Sequence, residues 1–225
     1  MDLLDVMRTT FAAREFTDAP VSDETIYDLV ENARFAPSGG NRQGNHVIIV
    51  RDQATKDRLA ELAEPAAKRY IAQIQAGESP WNTVAPTTVS PETIAATKAP
   101  SVLTNPHRKA PVVLVFTVDL GLVASMDQEL DRIGVISGGS IYPFVWNVLL
   151  GARNVGLGGT ITTLAVARES EVQALLNIPK DHAVAAVVPL GQPVKQLTKL
   201  RRNPVEQIAR VGTFDGEPLT RNGAA

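Results

Sequence analysis

Apolar residues recur along the 225-residue chain in two rhythms, and these locate most of its elements. In "VSDETIYDLVENARFA" Ile26, Leu29, Val30 and Ala33 follow at i, i+3, i+4 and i+7, the stripe of an amphipathic helix. Ser22 stands where an N-cap is needed, Asp23 and Glu24 occupy the first turn, and Pro37 is expected to end the helix. A shorter helix is expected over residues 2–11, and a long one from Gln53 to Gln75. "HVIIV" (46–50) and "APVVLVFTVD" (110–119) are continuous β-branched runs, the mark of strands buried on both faces. Residues 125–153 read as helical with an interruption near Gly138–Gly139. A third strand begins at Gly159, "SEVQALLN" is a short helix, and "AVAAVVPLG" (183–191) is a fourth strand.

Between the long helix and the second strand, residues 77–107 lack a firm period and hold five prolines. So long a stretch inside a domain reads as a lid or excursion rather than a plain loop. Ser90-Pro91-Glu92 marks a short helix within it, with serine as cap and proline at the first helical position. Helices outweigh strands and alternate with them, so the pattern predicts one layered α+β or α/β domain over residues 1–225.

Composition narrows the functional classes. Formal net charge is −2, so no global basic field points to nucleic acid. The absence of cysteine excludes disulfides, thiolate nucleophiles and iron–sulfur ligation, and fits a reducing cytoplasm. The N-terminus lacks a signal-peptide pattern and no apolar run is long enough for a bilayer, so a soluble cytoplasmic protein is expected. "GLGGT" lacks the third glycine of a dinucleotide fingerprint and follows a helix rather than opening one. His46, His107 and His182 have no metal-ligand spacing and read as surface or strand-end residues. No metal site and no side-chain acid or nucleophile stands out, so any catalysis is expected to rest on a bound cofactor.

Three features suggest where such a cofactor would sit. "PSGGNRQ" (37–43) offers a hydroxyl, two carboxamides and bare backbone between a helix and a strand, suited to a ribityl chain or heterocycle edge. Lys195, Lys199, Arg201 and Arg202 lie within eight residues, and Lys199 and Arg201 could bond a phosphate. "GGTITTL" (158–164) leads a strand in through glycines, where backbone groups could approach a flat ring. Arg14 adds a further polar reach. Taken singly, the glycines need only end a helix and the tail need only be a solvated face; the combination carries the suggestion.

"AREF" (13–16), "APSGGNRQ" (36–43), "NVLLGARNVGLGGT" (147–160), "IPKDHAVAAVVPLGQP" (178–193) and "KLRRNP" (199–204) together resemble the FMN-dependent nitroreductase family over nearly the whole chain. The resemblance implies an α+β fold, a three-layer α/β/α sandwich with a mostly antiparallel central sheet. It also implies an intertwined homodimer whose two FMN sites are each built from both subunits. Pro37, Ser38, Gly39 and Asn41 would reach the flavin of the neighbouring subunit, with Ser140 a further polar contact from that side. Arg14 would meet the pyrimidine edge, Lys199 and Arg201 the phosphate, and Thr162, Thr163 and Leu164 the reactive centre of the ring. The implied activity is ping-pong two-electron transfer from NADPH or NADH to planar, electron-poor nitroaromatics or quinones. Dehalogenation, flavin breakdown and non-enzymatic flavin sensing are the alternatives on the same fold.

Two departures from the family pattern concern the phosphate and the ring. The usual Arg-Arg-Ser-x-Arg is "RTTFAAREF" here, which either puts Thr10 and Ala12 in the phosphate positions or, by a shift of two residues, Arg8 and Thr10; the shifted register is preferred. The usual Gln-Pro-Trp becomes Gln43-Gly44-Asn45.

Overall fold

The computed structural model describes residues 1–221. In chain order the elements are α1 (Leu3–Thr9), α2 (Asp23–Ala33), β1 (Asn45–Val50), α3 (Gln53–Gln75), α4 (Pro91–Ala96), α5 (Asn105–Lys109) and β2 (Val112–Asp119). After them come α6 (Tyr142–Asn154), β3 (Gly158–Gly159), α7 (Glu169–Leu176), β4 (His182–Gly191) and α8 (Val205–Ile208). The four strands form one sheet in the order β1-β2-β4-β3, and every adjacent pair is antiparallel.

Side chains of β2 alternate between two apolar layers. Val112, Leu114, Phe116 and Val118 pack with α2 and α6, where Phe116 meets Phe144 edge-on at 5.7 Å. Val113 and Val115 face the opposite way, onto Leu59, Leu62 and Ala63 of α3 and Val172 of α7. Helices therefore cover both faces of an antiparallel sheet, the three-layer α+β sandwich expected from the sequence. Among the described residues no helix is long and apolar enough to cross a membrane.

Local signals explain the helix starts. The Ser22 hydroxyl accepts the Thr25 N–H at 3.1 Å, and the Asp52 carboxylate accepts the Thr55 N–H at 2.8 Å. Ser90 caps α4 in the same way, with Pro91 in its first turn. In α3 the buried face carries Ala60, Ala63, Ala66 and Ala67, small residues that let a long helix lie close to its neighbours.

Four expectations are corrected. The first strand, β1, is not buried on both faces: only Val50 is buried and Ile49 is 45% exposed, because β1 is the sheet edge and, among the described residues, no helix closes over all of it. Residues 125–135 are not helical. The Asp127 carboxylate there accepts the Ser125 hydroxyl, the Arg132 guanidinium and the Val135 and Ile136 N–H groups, drawing to itself donors that a helix would turn to carbonyls. Those bonds, led by the Val135 N–H, hold its carboxyl well below the usual carboxylate range. Helix α2 ends at Ala33, short of Pro37, with Arg34 as C-cap. His107, finally, is neither surface nor strand end; it is fully buried on α5.

The stretch after α3 is held by one carboxylate. Glu78 accepts the Thr87 hydroxyl at 2.6 Å, both the N–H and the hydroxyl of Thr88 at 2.7 Å, and the Gln73 amide at 3.1 Å. Gln73 also accepts the Trp81 N–H at 3.1 Å, and the Arg69 guanidinium lies 4.1 Å from the Trp81 ring centroid.

Candidate functional site

Strand β3 carries the first cluster. Gly159 sits where a Cβ would come within 2.7 Å of the Pro189 carbonyl oxygen, so only glycine lets the strand lie against β4. The Gly159 carbonyl takes the Ala13 N–H at 3.0 Å, which places Arg14 beside the outgoing strand. Thr162 then exchanges two backbone hydrogen bonds with Val187, at 3.1 and 2.8 Å. Arg14, Tyr70, Leu103, Pro106 and residues 160–164 thereby line one cavity of about 190 Å3. Among the described residues the N–H groups of Thr163 and Leu164 have no protein acceptor, as expected where an irregular segment starts a 3-10 turn at Leu164.

The second cluster surrounds the loop that enters β1. Ser140, 8% exposed, accepts the Gly39 N–H at 3.2 Å, and the Ser38 hydroxyl accepts the Gln43 N–H at 3.0 Å. Pro37 and Asn41 are exposed, and Asn41 and Gln43 both have left-handed backbone, with φ of 53° and 54°. The structure also accounts for the glycine of Gln43-Gly44-Asn45. Gly44 is buried, its carbonyl takes the Asp119 N–H at 2.8 Å, and a Cβ there would stand 3.0 Å from that of Leu122.

The third group is basic. Gln196 donates to the Thr9 carbonyl at 3.1 Å, drawing the tail that carries Lys199 and Arg201 toward the end of α1, where Arg8 lies. Arg8, Arg14, Lys199 and Arg201 are exposed, and among the described residues none of them forms an ion pair. Thr10 is placed differently. It is 5% exposed and its hydroxyl donates to the Val6 carbonyl at 2.7 Å, so it turns into the protein while Arg8 faces solvent.

The chain thus brings Arg14 together with Thr162, Thr163 and Leu164, and Ser38 and Gly39 with Ser140, but not the two sets with each other. The first follows β3 at one edge of the sheet and the second precedes β1 at the other, three strand spacings apart, or about 14 Å. Their separation is what a site completed by a second chain would produce. The 190 Å3 cavity is likewise small for a ligand site, for which about 300–1,000 Å3 is usual. A larger concavity of about 560 Å3, lined by Leu3, Val6, Leu29 and Leu150 among others, holds none of the candidate site residues named from the sequence.

The donor set fits flavin mononucleotide: unpaired cations for a phosphate, and a guanidinium and free backbone N–H groups beside a cavity for a heterocycle. Sequence reasoning missed Tyr70, Leu103, Pro106 and His107. They come from α3 and the 77–107 excursion, whose path over the cavity no local pattern encodes.

The model of the family described as the nitroreductase family matches residues 7–192. Nitrobenzene nitroreductase of Ectopseudomonas oleovorans is 26% identical over 196 residues, spanning 83% of this chain and 85% of that one. Iodotyrosine deiodinase of Nematostella vectensis is 25% identical over 206 residues, spanning 90% and 72%. Among solved structures, oxidized iodotyrosine deiodinase bound to FMN and 3-iodo-L-tyrosine superposes with a TM-score of 0.68 at 21% identity, over 95% of this chain and all of that one. The NfrA1 nitroreductase of B. subtilis gives 0.69 at 16% identity, over 95% and 75%. At these identities the structural likeness establishes the fold alone.

Proposed function

The chain belongs to the nitroreductase family, and on that premise we propose that it is an FMN-dependent NAD(P)H oxidoreductase that reduces planar, electron-poor acceptors, nitroaromatics first and quinones second. The observation that carries the reading is one cavity lined by both Arg14 and the Thr162–Leu164 segment, in which, among the described residues, the Thr163 and Leu164 N–H groups have no protein acceptor. FMN, when bound, supplies two-electron hydride chemistry. Arg14 stabilises negative charge on the pyrimidine edge, and the Thr163 and Leu164 N–H groups bond the ring near its reactive centre. Arg8, Lys199 and Arg201 hold the phosphate. Pro37, Ser38, Gly39, Asn41 and Ser140 complete the site of a second copy of the chain.

Reduction of a nitro group to nitroso takes one hydride and one proton and releases water. Among the described residues no acid lines the cavity, so solvent supplies the proton. The 77–107 excursion, through Leu103 and Pro106, closes the cavity on one side and selects among acceptors. The whole chain acts as one cytoplasmic domain.

A second reading, reductive dehalogenation, is favoured by the two iodotyrosine deiodinases among the relatives, each 25% identical to this chain. One experiment tests both. The visible spectrum of the purified protein is recorded before and after anaerobic addition of NADPH or NADH, and products are then identified with a nitroaromatic, a quinone and a halotyrosine. A flavin spectrum that bleaches and a nitro acceptor that is consumed support the first reading; release of halide supports the second. A protein that cannot be loaded with FMN refutes both.

A further inference from the structure

His107 lies at the end of the 77–107 excursion and is completely buried. Its Nδ1 is 3.1 Å from the Thr104 carbonyl oxygen, and its Nε2 is 3.4 Å from the Thr162 hydroxyl. A carbonyl oxygen can only accept, so Nδ1 carries the ring proton. Burial keeps the ring neutral, its pKa pushed down to about 4, so Nε2 presents a lone pair and the Thr162 hydroxyl donates to it. Both backbone groups of Thr162 are taken by Val187, which leaves the hydroxyl as the remaining handle on this residue. The next two residues line the cavity, and among the described residues their N–H groups have no protein acceptor.

We propose that His107 is a positioning residue: fixed by the Thr104 carbonyl, it grips the Thr162 hydroxyl and so sets the orientation of the Thr163 and Leu164 N–H groups, tying the 77–107 excursion to the wall of the cofactor cavity. His107 touches neither cofactor nor substrate and acts only through Thr162. The purpose of the link rests on the FMN reading, whereas the link itself belongs to the chain without ligand.

Two amides of similar size separate this role from simple filling of the core. In His107→Gln the terminal oxygen reaches about as far as Nε2 and can accept from Thr162. In His107→Asn the side chain reaches only to Nδ1 and keeps the Thr104 bond alone. Amide exchange at Thr162 and Val187, measured by NMR on flavin-free protein, is expected to be near wild type in His107→Gln. Loss of the acceptor in His107→Asn should speed it about tenfold, the equivalent of one ordinary hydrogen bond. Thr162→Val, which leaves His107 intact, should give the same acceleration, and the double variant should exchange no faster than either single one. FMN affinity should fall in His107→Asn and Thr162→Val and be held in His107→Gln.

Equal effects of the two amides, or additive effects in the double variant, would overturn the proposal. If exchange follows the expected pattern while wild type takes up no FMN, the functional reading fails and the link stands.

Discussion

Lys199 and Arg201 lie on an exposed tail and, among the described residues, form no ion pair, so replacing them breaks no such pair and changes what the tail can hold. Replacing both by alanine should weaken FMN binding by about 10- to 100-fold, two charge-assisted hydrogen bonds being lost, and leave riboflavin binding unchanged. Fluorescence titration with the two flavins checks the difference, and an equal loss for both would remove these residues from the phosphate. The imidazole of His107 makes a separate prediction about acid. Its folded pKa, about 4, lies below the ordinary imidazole value of 6.5 because burial disfavours the charged ring. Between those values the unfolded chain takes up a proton that the folded one refuses, so stability present above pH 6.5 is lost as the pH falls toward 4 and no further below it. The full difference is about 3 kcal/mol, and urea unfolding of wild type against His107→Gln across this window should show it as a slope missing from the variant.

The excursion after α3 is an element built around one carboxylate, and its acid response is that of Glu78. The Thr87 hydroxyl, then the Thr88 N–H and hydroxyl, hold this group at about 2 against an ordinary value of 4.5. Its hold on residues 79–88 is complete above pH 4.5 and is lost as the pH falls toward 2. Exchange or proteolysis within 79–88 should accelerate over that range, and Glu78→Ala should show the accelerated rate already at neutral pH. Elements of this kind divide what the sequence makes legible from what it does not. The approximate span of α3 was legible, and the structure adds the carboxylate cap, Asp52, at which it starts. The segments near Arg14 and Gly39 stood out in the sequence by their glycines, carboxamides and hydroxyl and by the family resemblance, while the roles of their residues belong to the proposal. The exposure of β1 was not, because an edge strand and a central strand can share the same β-branched run. Nor was the turn structure of 125–135, where one aspartate outcompetes a helical pattern, nor the burial of His107, which depends on segments that meet only in the folded chain.

At the scale of the whole molecule, the two clusters stand at opposite edges of one sheet, and the tail leaves Ile208, Val211 and Phe214 exposed, Phe214 completely. Such apolar side chains on an extended tail suit an intertwined second copy that they can pack against. If each site draws Arg14 from one chain and Asn41 from the other, Arg14→Ala and Asn41→Ala proteins should each be nearly inactive. Unfolded and refolded together in equal amounts, they should recover about a quarter of wild-type activity, since half the dimers are mixed and each of these holds one intact site. No recovery, with mixed dimers present by native mass spectrometry, would place the whole site within one chain. Strand β2 has a consequence of another kind. It lends alternate side chains to both apolar layers, so neither layer can come apart while the other persists. Melting should then be a single event, with calorimetric and van't Hoff enthalpies in agreement. Truncating Phe116 on one face should lower the protection of α3 amides on the other, as an injury to a shared wall is felt in both rooms.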